Sequence, residues 1–127
     1  MAILSESSIQ ANCNKETKII KLFNDESADE TTSTAVDARN YDQATIVAEW
    51  SAGSAAGVVV LEGAITSDYA GTWDSLKTLT WAAASGCDSA TISLNNPANS
   101  AFLPYLRARL SSHVDSGTVD VYLVLTR

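Results

Sequence analysis

One histidine, two cysteines and two prolines are all that this 127-residue chain has of those three residue types, and the scarcity of each closes off chemistry. A lone histidine, His113, excludes a clustered-histidine metal site, and as a catalytic base it would need a nucleophile held beside it. Ser112 and Asp115 lie near it only as neighbours in the same short segment "SSHVDSG", so His113 reads as an exposed turn residue. Cys13 sits in a polar N-terminal segment and Cys87 in a loop. They form no CxxC pair and have no histidine nearby. Two reduced thiols are the expectation, with a disulfide tying down the N-terminal segment as the alternative.

Basic residues are also few: Lys and Arg number 8 against 15 Asp and Glu, a net charge of −7. Affinity for phosphate backbones needs clustered Lys and Arg, so a nucleic-acid partner is not expected, nor is an anionic membrane surface. A matched partner patch is neutral or basic. Apolar runs such as Val58–Leu61 fall far short of the ~20 residues of a spanning helix. The start "MAILSESSIQ" has neither a basic n-region nor a continuous apolar core, which reads as a soluble chain made in the cytoplasm without a secretory leader. No GxxxxGK or GxGxxG occurs, and "SAGSAAG" (51–57) precedes no helix that could lend it a dipole. No metal or cofactor is expected.

What is present is a globular composition, 46% apolar, in a chain of single-domain length. Residues 1–16 read as an extended N-terminal arm, polar but with apolar anchors at Ile3, Leu4 and Ile9. Residues 17–127 read as a β-domain. Its short β-type runs cover 17–23, 31–37, 44–50, 57–63, 75–81, 90–95, 102–110 and 118–126, separated by turn residues. Alternation is clearest at the end, where Val119, Val121, Leu123 and Leu125 share one face. Pro104 cannot donate to a ladder, so its run is an edge strand or begins irregularly. Eight such strands without helical periodicity predict an all-β fold, an antiparallel two-sheet β-sandwich of the eight-stranded jelly-roll kind.

The stretch "GVVVLEGAITSDYAGTWDSL" (57–76) gathers Glu62, Asp68 and Asp74 around Tyr69, Gly71 and Trp73. Glycosidases need two carboxyls facing each other across a sugar. Here all three lie in or beside one hairpin-like connection, where Asp fixes a turn through its own backbone and Gly71 supplies any positive φ. They read as turn residues, with no catalytic set. Tyr69 and Trp73 are expected to cover one end of the core. The acidic segment 24–30, "NDESADE", lacks the alternating spacing and fixed glycine of a calcium loop. Arg107 and Arg109, with Tyr105, form an outward stripe expected to pair with acids of a neighbouring strand or subunit. Together with Ile3, Leu4, Ile9, Tyr69 and Trp73, these three are the candidate interface residues. The arm would add main-chain hydrogen bonds to a neighbour's sheet edge, and an oligomer would cover apolar surface of Trp50, Trp73 or Trp81.

The run "GVVVLEGAITSDYAGTWDSLKTLTWAAAS", followed by "YLRARLSSHVDSGTVDVYLVLTR", resembles a β-rich pattern of small virion proteins of tailed bacteriophages. In that pattern a strand ending in "LEG" leads through a "DYAGTW"-like turn to "LTW", and a "RAR…GTV" hairpin closes the chain. The resemblance spans Gly57 to Arg127, about half the chain, and leaves the N-terminal third unmatched. It implies a jelly-roll head decoration, or cement, protein on the capsid surface. Such a protein would bind the major capsid protein and itself, as homotrimer or homodimer. The resemblance assigns no catalytic or ligand-binding residue. A glycan-binding β-sandwich module, or a tail or fibre component of a phage, is the alternative.

Overall fold

A computed structural model describes residues 16–28, 30–51, 56–82, 85–94, 103–114 and 117–127. The arm residues Ile3, Leu4, Ile9 and Cys13, and Asp115, lie outside the described residues. The fold is all-β, with strands β1 (Thr17–Glu26), β2 (Thr31–Thr32), β3 (Val36–Asp37), β4 (Gln43–Trp50), β5 (Ala56–Ala64), β6 (Asp74–Trp81), β7 (Gly86–Ser93), β8 (Tyr105–Val114) and β9 (Val119–Thr126). Among the described residues no helix is long and apolar enough to cross a membrane.

Two antiparallel sheets face each other. One runs β1-β9-β4-β7; the other runs β2-β8-β5-β6, with β3 also pairing to β8. This is jelly-roll wiring, in which successive strands mostly cross from one sheet to the other. The strand count is nine because the run 31–37 is interrupted. β2 and β3 pair in tandem with β8, at Thr31↔Leu110 and Val36↔Leu106. Between them Ser33 leaves the ladder, yet its N–H donates to the Ala108 carbonyl at 2.9 Å. Its hydroxyl accepts from the Ala108 N–H at 2.9 Å, so a side chain replaces the missing rung. Ser33→Ala should strand that N–H and cost about 1–3 kcal/mol, read as a lower urea midpoint at constant m.

Periodicity of two builds the core. Val119, Val121, Leu123 and Leu125 of β9 meet Ala44, Ile46 and Ala48 of β4, and Leu106, Ala108 and Leu110 of β8, all fully buried. Trp50 of β4 and Trp81 of β6 stack across the two sheets, with centroids 4.7 Å apart and planes 9° apart. Each ring lies beside a cross-strand glycine, Trp81 opposite Gly57 and Trp50 opposite Gly86. All three tryptophans are therefore buried within the single chain, and none is left for an oligomer to cover.

Several boundaries differ from the sequence reading. β7 begins at Gly86, so Cys87 is an exposed strand residue instead of a loop residue. β1 runs on through Asn24–Glu26, absorbing part of the acidic segment, with Asp25 at φ 51°. β8 starts just after Pro104 and extends to Val114, which places the His113 backbone in a strand paired to Gly57. Pro104 marks the irregular start it was expected to mark, but β8 is internal to its sheet. Glu16 belongs to the folded unit, since its carbonyl accepts from the Arg127 N–H at 3.0 Å.

Candidate functional site

β5 and β6 are consecutive strands that also lie side by side, so their connection, residues 65–73, stays on one sheet. It lies where the outward face of β5 meets that of β8. Leu61 and Gly63 point into the core, which turns Val60, Glu62 and Ala64 outward, yet all three are buried. β8 presents Arg107 opposite Glu62 and Arg109 opposite Val60.

Glu62 is 4% exposed. One carboxylate oxygen accepts from Arg107 Nε at 3.0 Å, the other from Arg109 Nε at 2.7 Å. Arg109 also reaches Glu30, on the turn leading into β2, at 3.7 Å. The Arg107 guanidinium lies 4.1 Å from the centroid of the Trp73 ring, a cation–π contact on a half-buried face. The indole N–H of Trp73 donates to the Tyr69 carbonyl at 2.9 Å, which folds the connection over the ion pair. The hydrogen bond that Arg109 donates to Glu62 raises the Arg109 pKa above its already high ordinary value. Further along the same face Arg39 pairs with Asp37 at 2.6 Å and lies 5.7 Å from the Tyr105 ring centroid. That pairing holds the Asp37 carboxyl below its ordinary range.

Arg107 and Arg109 thus pair with an acid of a neighbouring strand, as their spacing implied. Trp73 does not cover an end of the core: it is 5% exposed and roofs the polar triad on the outer face of the sheet. Tyr69 remains 39% exposed, next to Ile65 at 63%. Asp68 is an exposed residue of the connection, whereas Asp74 is the exposed first residue of β6, opposite Gly63, and Glu62 lies inside β5 as the buried anchor of the face. Gly71 has no positive φ; a side chain there would run into the Tyr69 ring. Sequence reasoning missed Glu62 as the organising residue. The available signal was a single acid in an otherwise apolar strand, opposite an Arg-x-Arg strand pattern.

Chemically the triad holds a surface in shape. Both Glu62 oxygens are committed to guanidinium groups inside a buried contact, and the Trp73 face that would stack on a sugar is occupied by Arg107. At one end of the sandwich Asp25, Glu49, Trp50, Ser51, Gly86, Thr118 and Asp120 line an open cleft of roughly 250 Å³. Glu49 stands opposite Asp120 across the β4–β9 ladder, but no cluster of three side chains able to hold a metal ion occurs among the described residues.

No family profile matches the chain, and no curated protein matches its sequence. Solved structures share the fold at low identity. The SPBc2 prophage-derived protein YomS is 9% identical, with TM-score 0.57, covering 89% of this chain and 95% of its own. The PBSX exported protein XepA is 11% identical, with TM-score 0.54, and the match covers 87% of this chain but 36% of XepA. The K3 cleaved adhesin domain of Lys-gingipain from Porphyromonas gingivalis W83 is 13% identical, with TM-score 0.56, covering 88% of this chain and 71% of that domain. At these identities the likeness is one of fold: the chain is a jelly-roll β-sandwich of a kind that occurs in prophage-derived proteins and in adhesin domains.

Proposed function

We propose that the chain is a structural virion protein of a tailed bacteriophage, a head decoration or cement protein that stabilises the capsid by bridging major capsid protein subunits. The observation that carries this reading is the end-to-end overlay with prophage-derived YomS, in which nearly all of both chains aligns. The phage-like strand-and-turn pattern of residues 57–127 supports it. The site adds a reason: its one buried polar cluster fixes a surface and leaves no reacting group free. On this reading the protein is not an enzyme, is made in the host cytoplasm and acts on the capsid surface, where modest contacts repeated over a lattice add up. Self-association and the arm residues Ile3, Leu4 and Ile9 belong to the same reading.

Heads assembled from the major capsid protein encoded in the same genome, but lacking this chain, should bind it at regular lattice positions and resist heating better once decorated. Cosedimentation and electron microscopy read the first result and thermal release of DNA the second; heads that neither bind nor gain heat resistance overturn the reading. Exposed Tyr69 and Ile65 are the apolar side chains the site offers a partner. Changing both to Ser should weaken head binding about tenfold, the effect of losing one interface anchor, while the thermal midpoint of the isolated protein stays within a few degrees.

A further inference from the structure

We propose that the sheet edges of this chain are closed to strand addition by charges set on their inward side, so that neither a second copy nor an extended arm joins it through main-chain pairing. The inference bears on the self-association in the reading above, for which it leaves contact through side chains as the route.

Two sheets have four edges, and among the described strands these are β1, β7, β6 and the tandem β2 and β3. An edge presents a row of unpaired N–H and C=O groups, the template on which another strand adds. The most inviting is β7, which pairs with β4 without a bulge from Gln43↔Ser93 to Trp50↔Gly86. β6 comes next, its register slipping only beside Leu61. The two strands run along one open side of the sandwich, at the margin where Trp50 and Trp81 stack.

Opposed residues of an antiparallel ladder share a face. Asp88 stands opposite Ala48 and Lys77 opposite Leu61, and both of those partners are fully buried. Asp88 and Lys77 therefore lie on the core-facing side of their strands, yet each is exposed because its sheet ends there. Their inward neighbours are apolar or glycine: Gly86 and Ala90 on either side of Asp88, and Leu79 after Lys77. The Asp88 carboxylate accepts from the Ser89 N–H at 2.8 Å, which keeps it against the backbone of its own strand. A strand added beside β7 or β6 would continue the sheet and cover this inward side. Asp88 or Lys77 would then lose its water, at a cost that opposes the pairing.

The other side is guarded in two ways. Lys18 of β1 is exposed opposite the core residue Leu125. The Asp37 carboxyl, held low chiefly by its hydrogen bonds from Arg39, also feels the Lys18 charge, so Lys18 lies toward the gap between β1 and β3. Beyond Lys21 the register of β1 shifts twice, and bulges of this kind turn an edge away from a straight partner. The facing edge consists of β2 and β3, of two residues each, too short to template a further strand.

K77V/D88V opens the β6–β7 side and leaves the net charge unchanged. The full-length variant should keep the near-ultraviolet signal of the stacked indoles and self-associate more than about tenfold more tightly than wild type in sedimentation equilibrium. Hydrogen exchange at β6 and β7 amides should slow as the associated fraction grows. T80V/S89V adds the same two valines to the same strands at exposed outward positions, opposite Val58 and Val47, and should behave as wild type. Should the inward pair fail to fold, Lys77→Val alone opens β6 and should slow exchange there. Wild-type β6 or β7 amides that gain protection as concentration rises overturn the proposal. So do inward variants that associate no better than wild type, or an outward pair that associates as well as the inward one. The decoration reading is scored separately, since a chain with closed edges can bind heads or fail to.

Discussion

Glu62→Ala should destabilise the protein by about 3–5 kcal/mol, because it leaves two guanidinium groups in a largely closed contact without their counter-charge. The Arg107 and Arg109 side chains are only 22% and 27% exposed, while that of Glu62 is 5%. Water can rehydrate part of the arginines, which keeps the cost toward the lower figure. For a chain of this length that is a fall in Tm of roughly 10 °C or more, read by urea unfolding as a shifted midpoint at constant m. The loss should persist in high salt, since buried pairs are screened much less than exposed ones. Loosening Arg107 also frees the indole that rests on it, so Trp73 should become accessible to an aqueous fluorescence quencher. Replacing all three charged residues by apolar ones of similar volume should cost little or even stabilise, because the desolvation of the charges goes with their attraction. Equal losses for the single and triple changes would mean that packing volume, and no ion pair, holds this face.

Gly57→Val should cost about 2–4 kcal/mol by a different route. A Cβ at Gly57 overlaps the Trp81 indole, and Trp81 cannot retreat because Trp50 is stacked against its other face. Overpacking of a closed core costs about 1–3 kcal/mol, and the lost aromatic pair adds about 0.5–1.5 kcal/mol. Near-ultraviolet circular dichroism should lose the signal of the coupled indoles. Gly86→Val, on the exposed edge strand β7, should cost less, since its Cβ would approach Trp50 no closer than 2.9 Å. Combining Gly57→Val with Trp81→Leu should recover part of the loss, the signature of coupled neighbours. Strictly additive effects would show that the steric conflict is not where the overlap places it.

Strand positions were legible wherever one face is buried and the other wet. In β9 the alternation of Val119, Val121, Leu123 and Leu125 with Asp120, Tyr122, Val124 and Thr126 is the same in sequence and in structure. The break between β2 and β3 was not legible, because it turns on the Ser33 hydroxyl accepting from the Ala108 N–H of β8, more than 70 residues away, in place of a carbonyl of its own segment. Cys87 and Gly86 read as loop because small residues favour turns. They are strand because Gly86 is needed beside the Trp50 ring.

The jelly-roll class, the missing metal and nucleotide motifs and the acidic balance are properties of short windows or of the whole composition, and one-dimensional pattern determined them. Which strand lies beside which, and hence that Glu62 would meet Arg107 and Arg109 under Trp73, was decided by the tertiary structure. The same acid on a turn would be ordinary. It organises a surface only because β5 and β8, some 45 residues apart, are neighbours in one sheet, and a partner at that sequence distance is invisible to any local pattern.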